Sequence, residues 1–204
     1  MIRVILAGEG KNELGGFAVE ASFRDEKPER GVVEALLRQV RPEGWQVVAS
    51  ILWKDIPKLR VGIGGKGEGL NLRRAVHHAK KRGCEVLAFT RDRDKAKFAH
   101  RETDIEETLA AIRREGTDGP AIIGGVAIEK LESWLAAISG AHASEDMRRP
   151  EERLAELGIG EKDTAAMVRF VEETGLGKVP ADAVSLRRWL DRAREILGVT
   201  SPPP

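Results

Sequence analysis

The feature that most constrains the fold is a regular alternation between short β-rich apolar runs and longer amphipathic segments. Ile2–Ala7 is a near-continuous apolar run followed by Gly8, Glu9 and Gly10, which is typical of a parallel strand buried on both faces. Three further strands are predicted at Gln46–Trp53, Glu85–Thr90 and Pro120–Ile128. Because helical patterns lie between the strands, we expect an α/β fold with a mainly parallel four-stranded sheet flanked by helices.

The intervening segments carry apolar residues at helical spacing. The predicted helices are Pro28–Arg41, Leu70–Arg82, Thr103–Glu115 and Lys130–Ser139. Thr103 and Glu106 are spaced as a capping box, which predicts that the third helix begins at Thr103.

The pattern changes after about residue 145, where helices follow one another without a strand between them. Pro150–Leu157, Glu161–Thr174 and Ser185–Leu197 predict three such helices. We therefore expect an α/β domain at 1–144, a helical C-terminal subdomain at 145–200 and a disordered tail at 201–204.

Composition excludes several classes of protein. The net charge of +1 gives no bulk attraction for nucleic acid, although ten Lys and Arg residues lie between Arg73 and Arg101 against three acidic ones. That local excess is open to two interpretations, a polyanion-binding surface or a solvated helix face. The single cysteine, Cys84, excludes an internal disulfide framework. No apolar run is long enough to span a bilayer, so we expect a cytoplasmic protein with no membrane partner.

Acidic residues follow three of the four predicted strands. They are Glu9 after the first strand, Asp92 and Asp94 after the third, and Glu129 and Glu132 after the fourth. Ligands of open parallel sheets bind beyond the carboxyl ends of the strands, so these side chains are predicted to meet at one edge. In an extended segment Asp92 and Asp94 would point the same way and reach one ion.

Several carboxylates in one place repel each other unless a cation neutralises them. Mg²⁺ prefers oxygen ligands and retains several waters, so two or three carboxylates suffice to hold it. Such an ion polarises a phosphoryl oxygen and activates water. The acidic residues therefore predict a Mg²⁺ or Mn²⁺ site for phosphoryl transfer.

The order of these motifs resembles the Toprim superfamily of topoisomerases, primases and OLD-type nucleases. Glu9 matches its glutamate after the first strand, and Asp92 with Asp94 matches its Asp-x-Asp after the third. The Glu9–Glu13 segment resembles the Glu-Gly-x-x-Glu of OLD-type nucleases. The chain is also similar to a small bacterial family of that superfamily, through Ala127–Leu135 and Val184–Leu190.

The resemblance implies a Toprim-like (Rossmann-like) fold and a metal-dependent nuclease that acts on nucleic acid. It implies Glu9, Asp92, Asp94 and Glu129 or Glu132 as metal ligands, with Glu13 assisting. It also implies a partner ATPase of the ABC/SMC type and a role in defence against phage or other foreign DNA. A homodimer is a further expectation. For phosphate or nucleic-acid binding and charge neutralisation, the candidates are Lys11, Gly64, Lys66, Arg91, Arg93 and Lys95.

Two features keep other functions open. Arg93 and Lys95 stand where the family has a small or amide residue and a glycine, so they either pair with the acids or bind a scissile phosphate. The first outcome would leave a binding or regulatory module without catalysis. Gly62–Gly67 matches G-x-G-x-x-G before a helix, which allows a flexible loop, a phosphate-binding loop or a nucleotide-binding enzyme.

Overall fold

Four parallel strands form one sheet in the computed structural model, which describes residues 1–18, 29–58, 67–94, 98–116 and 118–198. The strands are β1 (Ile2–Gly8), β2 (Trp45–Leu52), β3 (Val86–Asp92) and β4 (Ala121–Ala127). Their order is β2-β1-β3-β4, and every neighbouring pair is parallel. The predicted α/β class is therefore confirmed, and the architecture is consistent with a Rossmann-like fold.

Helices connect and flank the strands. They are α1 (Lys11–Leu14), α2 (Val32–Val40), α3 (Gly67–Lys81), α4 (His100–Glu115), α5 (Leu131–Ile138), α6 (Pro150–Glu156), α7 (Thr164–Thr174) and α8 (Val184–Leu197). The short helix α1 was not predicted, because four residues are too few for a periodic pattern. The predicted capping box was wrong, since α4 begins at His100 and places Thr103 inside the helix.

The buried strand β1 separates two hydrophobic cores. Val4 and Leu6 belong to one core, and Ile5 and Ala7 belong to the other. Alternate residues of a strand point to opposite faces, so a strand covered on both sides must be apolar throughout. This burial explains the uninterrupted apolar run in the sequence.

The helices after residue 145 share the first of these cores with the sheet. Trp134 of α5 and Trp189 of α8 pack with ring centroids 6.0 Å apart, and both are fully buried. The indole N–H of Trp189 donates to the carbonyl oxygen of Phe89 in β3 at 2.9 Å. The C-terminal helices are thus bonded directly to the sheet. None of the helices in the described ranges is long and apolar enough to cross a membrane.

Candidate functional site

The ends of β1 and β3 meet at the carboxyl edge of the sheet, because these strands are neighbours and parallel. Glu9 follows β1, and its Oε1 lies 2.9 Å from the backbone nitrogen of Asp92, the last residue of β3. The two strand ends therefore lie together as the sequence predicted. The role of the two side chains in metal binding stays a prediction.

Three of the predicted ligands are held by arginines. The pairs are Glu9 with Arg91, Glu129 with Arg93, and Asp94 with Arg101. Arg93 Nη2 lies 2.5 Å from Glu129 Oε1, so Arg93 forms an ion pair, while its predicted phosphate-binding role stays a prediction. These carboxylates are neutralised by the chain itself.

Arg91 and Arg101 extend this pairing into a network below the sheet edge. Glu68 of α3 accepts from Arg91 Nη2 at 3.0 Å, and Arg101 Nε lies 3.5 Å from the same oxygen. The indole N–H of Trp53 donates to the other oxygen of Glu68 at 2.6 Å. The side chains of Arg91 and Glu68 are only 10% and 13% exposed. Solvent therefore screens this network far less than a surface ion pair.

Glu13, Asp92 and Glu132 form a second group, here called the acidic triad. Glu13 and Glu132 are buried, whereas Asp92 is partly exposed. Asp92 Oδ1 accepts from the Leu131 N–H at 2.9 Å, and Glu13 Oε2 accepts from the Gly10 N–H at 2.9 Å. No lysine or arginine of the described ranges forms an ion pair with any member of the triad. Within the described ranges the triad therefore lacks the direct ion pairs that hold Glu9, Asp94 and Glu129, although the charge of Lys130 acts on Glu132 from a distance.

Burial raises the pKa values of all three members of the triad, and repulsion from nearby carboxylates adds to it. Burial is the main cause of a pKa well above the usual range for Asp92, and repulsion from Glu13, Glu132 and Asp94 adds to it. Burial likewise raises the pKa of Glu13, with a further increase from Glu132. The pKa of Glu132 is also raised, again mainly by burial. Placing three negative charges here costs free energy, which a cation would recover.

The triad lines an open cleft of about 440 Å³ at the carboxyl edge. Lys11, Lys130 and Lys162 line the same cleft, so positive charges lie beside the carboxylates. Lys11 also lies 3.1 Å from Glu29. Sequence reasoning did not identify Lys130, Lys162 or Glu161. Lys130 is the neighbour in sequence of the predicted Glu129. Glu161 and Lys162 lie in the loop before α7, where no sequence motif indicates a site.

Side-chain bonds bring that loop to the cleft. The Asn12 amide donates to the carbonyl oxygen of Glu161 at 3.0 Å, and the Thr164 hydroxyl donates to Asn12 Oδ1 at 2.9 Å. Helix α1 is thus bonded to the loop before α7, 149 residues away in sequence. The cleft is built from both the strand ends and the C-terminal helices.

The backbone at the acidic pair differs from the extended segment that was predicted. Asp94 has φ +61° and Glu129 has φ +65°, both in the left-handed region. The Asp94 N–H donates to the Glu129 carbonyl oxygen at 2.8 Å, which links the two turns. Asp92 accepts from the Leu131 N–H and Asp94 pairs with Arg101, but both residues line the same cleft, so the expectation that both reach one ion stays a prediction.

Three predicted residues, Gly64, Lys66 and Lys95, lie outside the described ranges, as does most of the Gly62–Gly67 loop. Arg91 is placed in the ion-pair network rather than on an open surface. The predicted phosphate-binding roles of these residues stay predictions.

Oxygen ligands of the acidic triad match the preference of Mg²⁺ and Mn²⁺. Within the described residues, however, no three acidic, histidine or cysteine side chains converge closely enough to form a ready-made metal site. The donor chemistry suits a divalent cation, but the described side chains do not present a ready-made site, and metal binding stays a prediction.

Fold and site together define an α/β protein with a parallel, helix-flanked sheet and an acidic cleft at its carboxyl edge. Comparisons of the chain with protein-family models, curated proteins and solved structures gave no match.

Proposed function

We propose that the protein is a divalent-metal-dependent phosphoryl-transfer enzyme, a nuclease of Toprim-like type that acts on nucleic acid. The observation that supports it most strongly is the acidic triad of Glu13, Asp92 and Glu132, which lacks a cation partner within the described ranges and lines an open cleft. Carboxylates that repel each other destabilise the folded protein unless a bound ligand neutralises their charge, and perturbed acids of this kind cluster at functional sites. A hard cation is the ligand that relieves it.

The proposed ligands of Mg²⁺ or Mn²⁺ are the members of the triad, and this differs in part from the set implied by the sequence. Glu9 instead holds the Asp92 backbone and Arg91, which makes it a positioning residue for the end of β3. Asp94 remains near enough to Asp92 to repel it, and it completes the site as an outer ligand. The bound cation would polarise a phosphoryl oxygen and activate water.

Lysines at the cleft supply the positive charge that a phosphodiester needs. Lys130 is 40% exposed and lies 3.7 Å from Glu151, a distance that leaves its ammonium able to turn towards a ligand. Lys11 and Lys162 also line the cleft wall. These groups would bind the phosphate and stabilise charge that develops on it. In the cell, foreign DNA as substrate and an ABC/SMC-type ATPase as partner belong to the same proposal.

Cleavage of supercoiled plasmid DNA and of single-stranded oligonucleotides with Mn²⁺ or Mg²⁺ tests this function. Wild type is compared with Asp92→Asn, Glu132→Gln and Glu9→Gln. Asp118→Asn is the matched control, since Asp118 is exposed on the loop before β4, at the opposite edge of the sheet. We expect Asp92→Asn and Glu132→Gln to lose cleavage, Glu9→Gln to lose part of it because Glu9 positions the end of β3, and Asp118→Asn to cleave as wild type does. Equal activity in all five proteins would refute the proposal.

A second candidate is a binding or regulatory module without catalysis. The observation that favours it is that Glu9, Asp94 and Glu129 are already paired with arginines. Titration calorimetry with Mn²⁺ separates the two candidates. The module predicts no Mn²⁺ binding that depends on Asp92 or Asp94, whereas the enzyme predicts binding that Asp92→Asn weakens strongly and Asp94→Asn weakens less.

A further inference from the structure

A second cavity of about 350 Å³ lies beside the acidic cleft, on the other side of Glu9. Its walls come from the turn after β2, from α3 and from Arg91 at the end of β3. Glu9 lines both the cavity and the acidic cleft. Glu9 therefore lies at the boundary of two neighbouring depressions, and its ion pair with Arg91 is here called the ridge.

The charges around this cavity favour an anion. Lys54, Lys58 and Arg74 line it, and in the described part of the chain none of them forms an ion pair with an acidic residue. The two acidic residues that line it are Glu9 and Glu68, and both accept hydrogen bonds from Arg91. The carboxylates are thus neutralised while three cations stay available, so the cavity is basic although the chain is nearly neutral.

Two buried apolar side chains line the cavity beside its charged groups. Trp53 and Ile56 line it and are each 5% exposed. Trp53 packs against Phe89 with ring centroids 5.3 Å apart, and its N–H is held by Glu68. Basic side chains beside apolar ones suit a ligand that carries both a phosphate and an apolar ring face, such as a nucleotide unit.

We propose that this basic cavity binds one nucleotide unit of a single-stranded nucleic acid whose neighbouring phosphate occupies the acidic cleft. The inference rests on the proposed function, and it names the substrate class of the same site. A flexible single strand can bend over the Glu9–Arg91 ridge and place phosphates on both sides. A strand that occupies both depressions makes more contacts than a free nucleotide in one of them, so we expect a strand to bind more tightly.

Fluorescence anisotropy with a labelled single strand of about a dozen nucleotides, in EDTA, tests the cavity without any cleavage. The variant Lys54→Ala/Lys58→Ala/Arg74→Ala removes its three available cations. We expect this triple variant to bind at least about fivefold more weakly, with a salt slope lower by roughly 0.7 for each phosphate that the variant no longer neutralises. Lys178→Ala is the control, because Lys178 is exposed on the loop between α7 and α8 and lines neither depression.

The outcomes separate this inference from the proposed enzyme. Asp92→Asn should abolish cleavage and retain strand binding, whereas the triple variant should lose both. Adenosine monophosphate should compete with the strand at least about tenfold more weakly than an unlabelled strand, because it brings one phosphate to the basic cavity whereas the strand brings several. The proposal for the cavity would be overturned if the triple variant and Lys178→Ala bound the strand with affinities within twofold of each other and had equal melting temperatures. Weaker binding by the triple variant, with no cleavage by wild type, would support the cavity and refute the nuclease.

Discussion

Asp92 Oδ1 accepts a hydrogen bond of 2.9 Å from the backbone N–H of Leu131, and this bond ties the end of β3 to the first residue of α5. The same carboxylate is repelled by Glu13, Glu132 and Asp94, and burial disfavours its charge. One oxygen of Asp92 thus has a structural role, while the charge of the group is a cost to the fold. These two contributions can be separated by substitution.

Asp92→Asn is expected to stabilise the protein in EDTA at neutral pH, because it removes the charge and keeps an Oδ1 acceptor for the Leu131 N–H. Asp92→Ala removes both, so it should be less stable than Asp92→Asn by about 1 kcal/mol, as for the loss of a helix cap. Urea unfolding of both variants measures this difference. Equal stability of the two would show that the bond to Leu131 contributes nothing.

The contribution of the triad to the free energy of unfolding should fall as the pH rises from about 4, where carboxyl groups of an unfolded chain titrate. The folded pKa values of Glu13, Asp92 and Glu132 are raised, so in this window the folded state binds more protons than the unfolded state. The stability that protonation provides is present below the unfolded pKa and is lost as the pH rises through the folded pKa values.

Urea unfolding in EDTA between about pH 4 and pH 8 measures this dependence. The free energy of unfolding of the variant Glu13→Gln/Asp92→Asn/Glu132→Gln should depend less on pH than that of wild type. The difference in stability between the two proteins should increase towards pH 8. Millimolar Mn²⁺ should stabilise wild type at the high end and leave the triple variant unchanged. Parallel profiles for the two proteins would contradict the raised pKa values.

Arg91→Ala should destabilise the fold by about 3 kcal/mol, because it leaves Glu9 and Glu68 without their common partner in a largely buried setting. Arg149→Ala is the control, since the pair of Arg149 with Glu152 is exposed and should contribute nothing measurable. Chemical denaturation of both variants tests the contrast. A loss in Arg91→Ala no larger than in Arg149→Ala would mean that the network does not support the sheet edge.

Gly124→Ala in β4 should destabilise the protein by about 2 kcal/mol or more, because the new Cβ would lie 1.9 Å from the Phe89 ring. Gly125→Ala on the same strand is the matched control. Its nearest neighbours, Arg192 and Trp189, would be 3.7 and 3.8 Å away, an ordinary contact distance. Thermal unfolding should rank wild type and Gly125→Ala well above Gly124→Ala, and the reverse order would contradict the packing of β3 on β4.

Local patterns in the sequence predicted much of this fold, because a strand buried on both faces must be apolar and an amphipathic helix must repeat with its own period. All four strands were placed to within two residues of their observed ends. The meeting of Glu9 and Asp92 followed as well, since parallel strands end at a common edge. These conclusions need only neighbours along the chain and the rules of sheet topology.

Contacts between segments distant in sequence decided the pairing of the acidic residues and the conformation of the turns beside them. Whether an acidic residue is paired or free depends on which side chains reach it, and Arg101 reaches Asp94 while no described cation pairs with Glu13 or Glu132. The left-handed turns at Asp94 and Glu129 likewise depend on the bond between their backbones. By itself, the sequence determined which elements form and which edge collects the acids. The tertiary structure alone decided which acids stay unpaired, because burial and charge pairing are properties of three-dimensional neighbours.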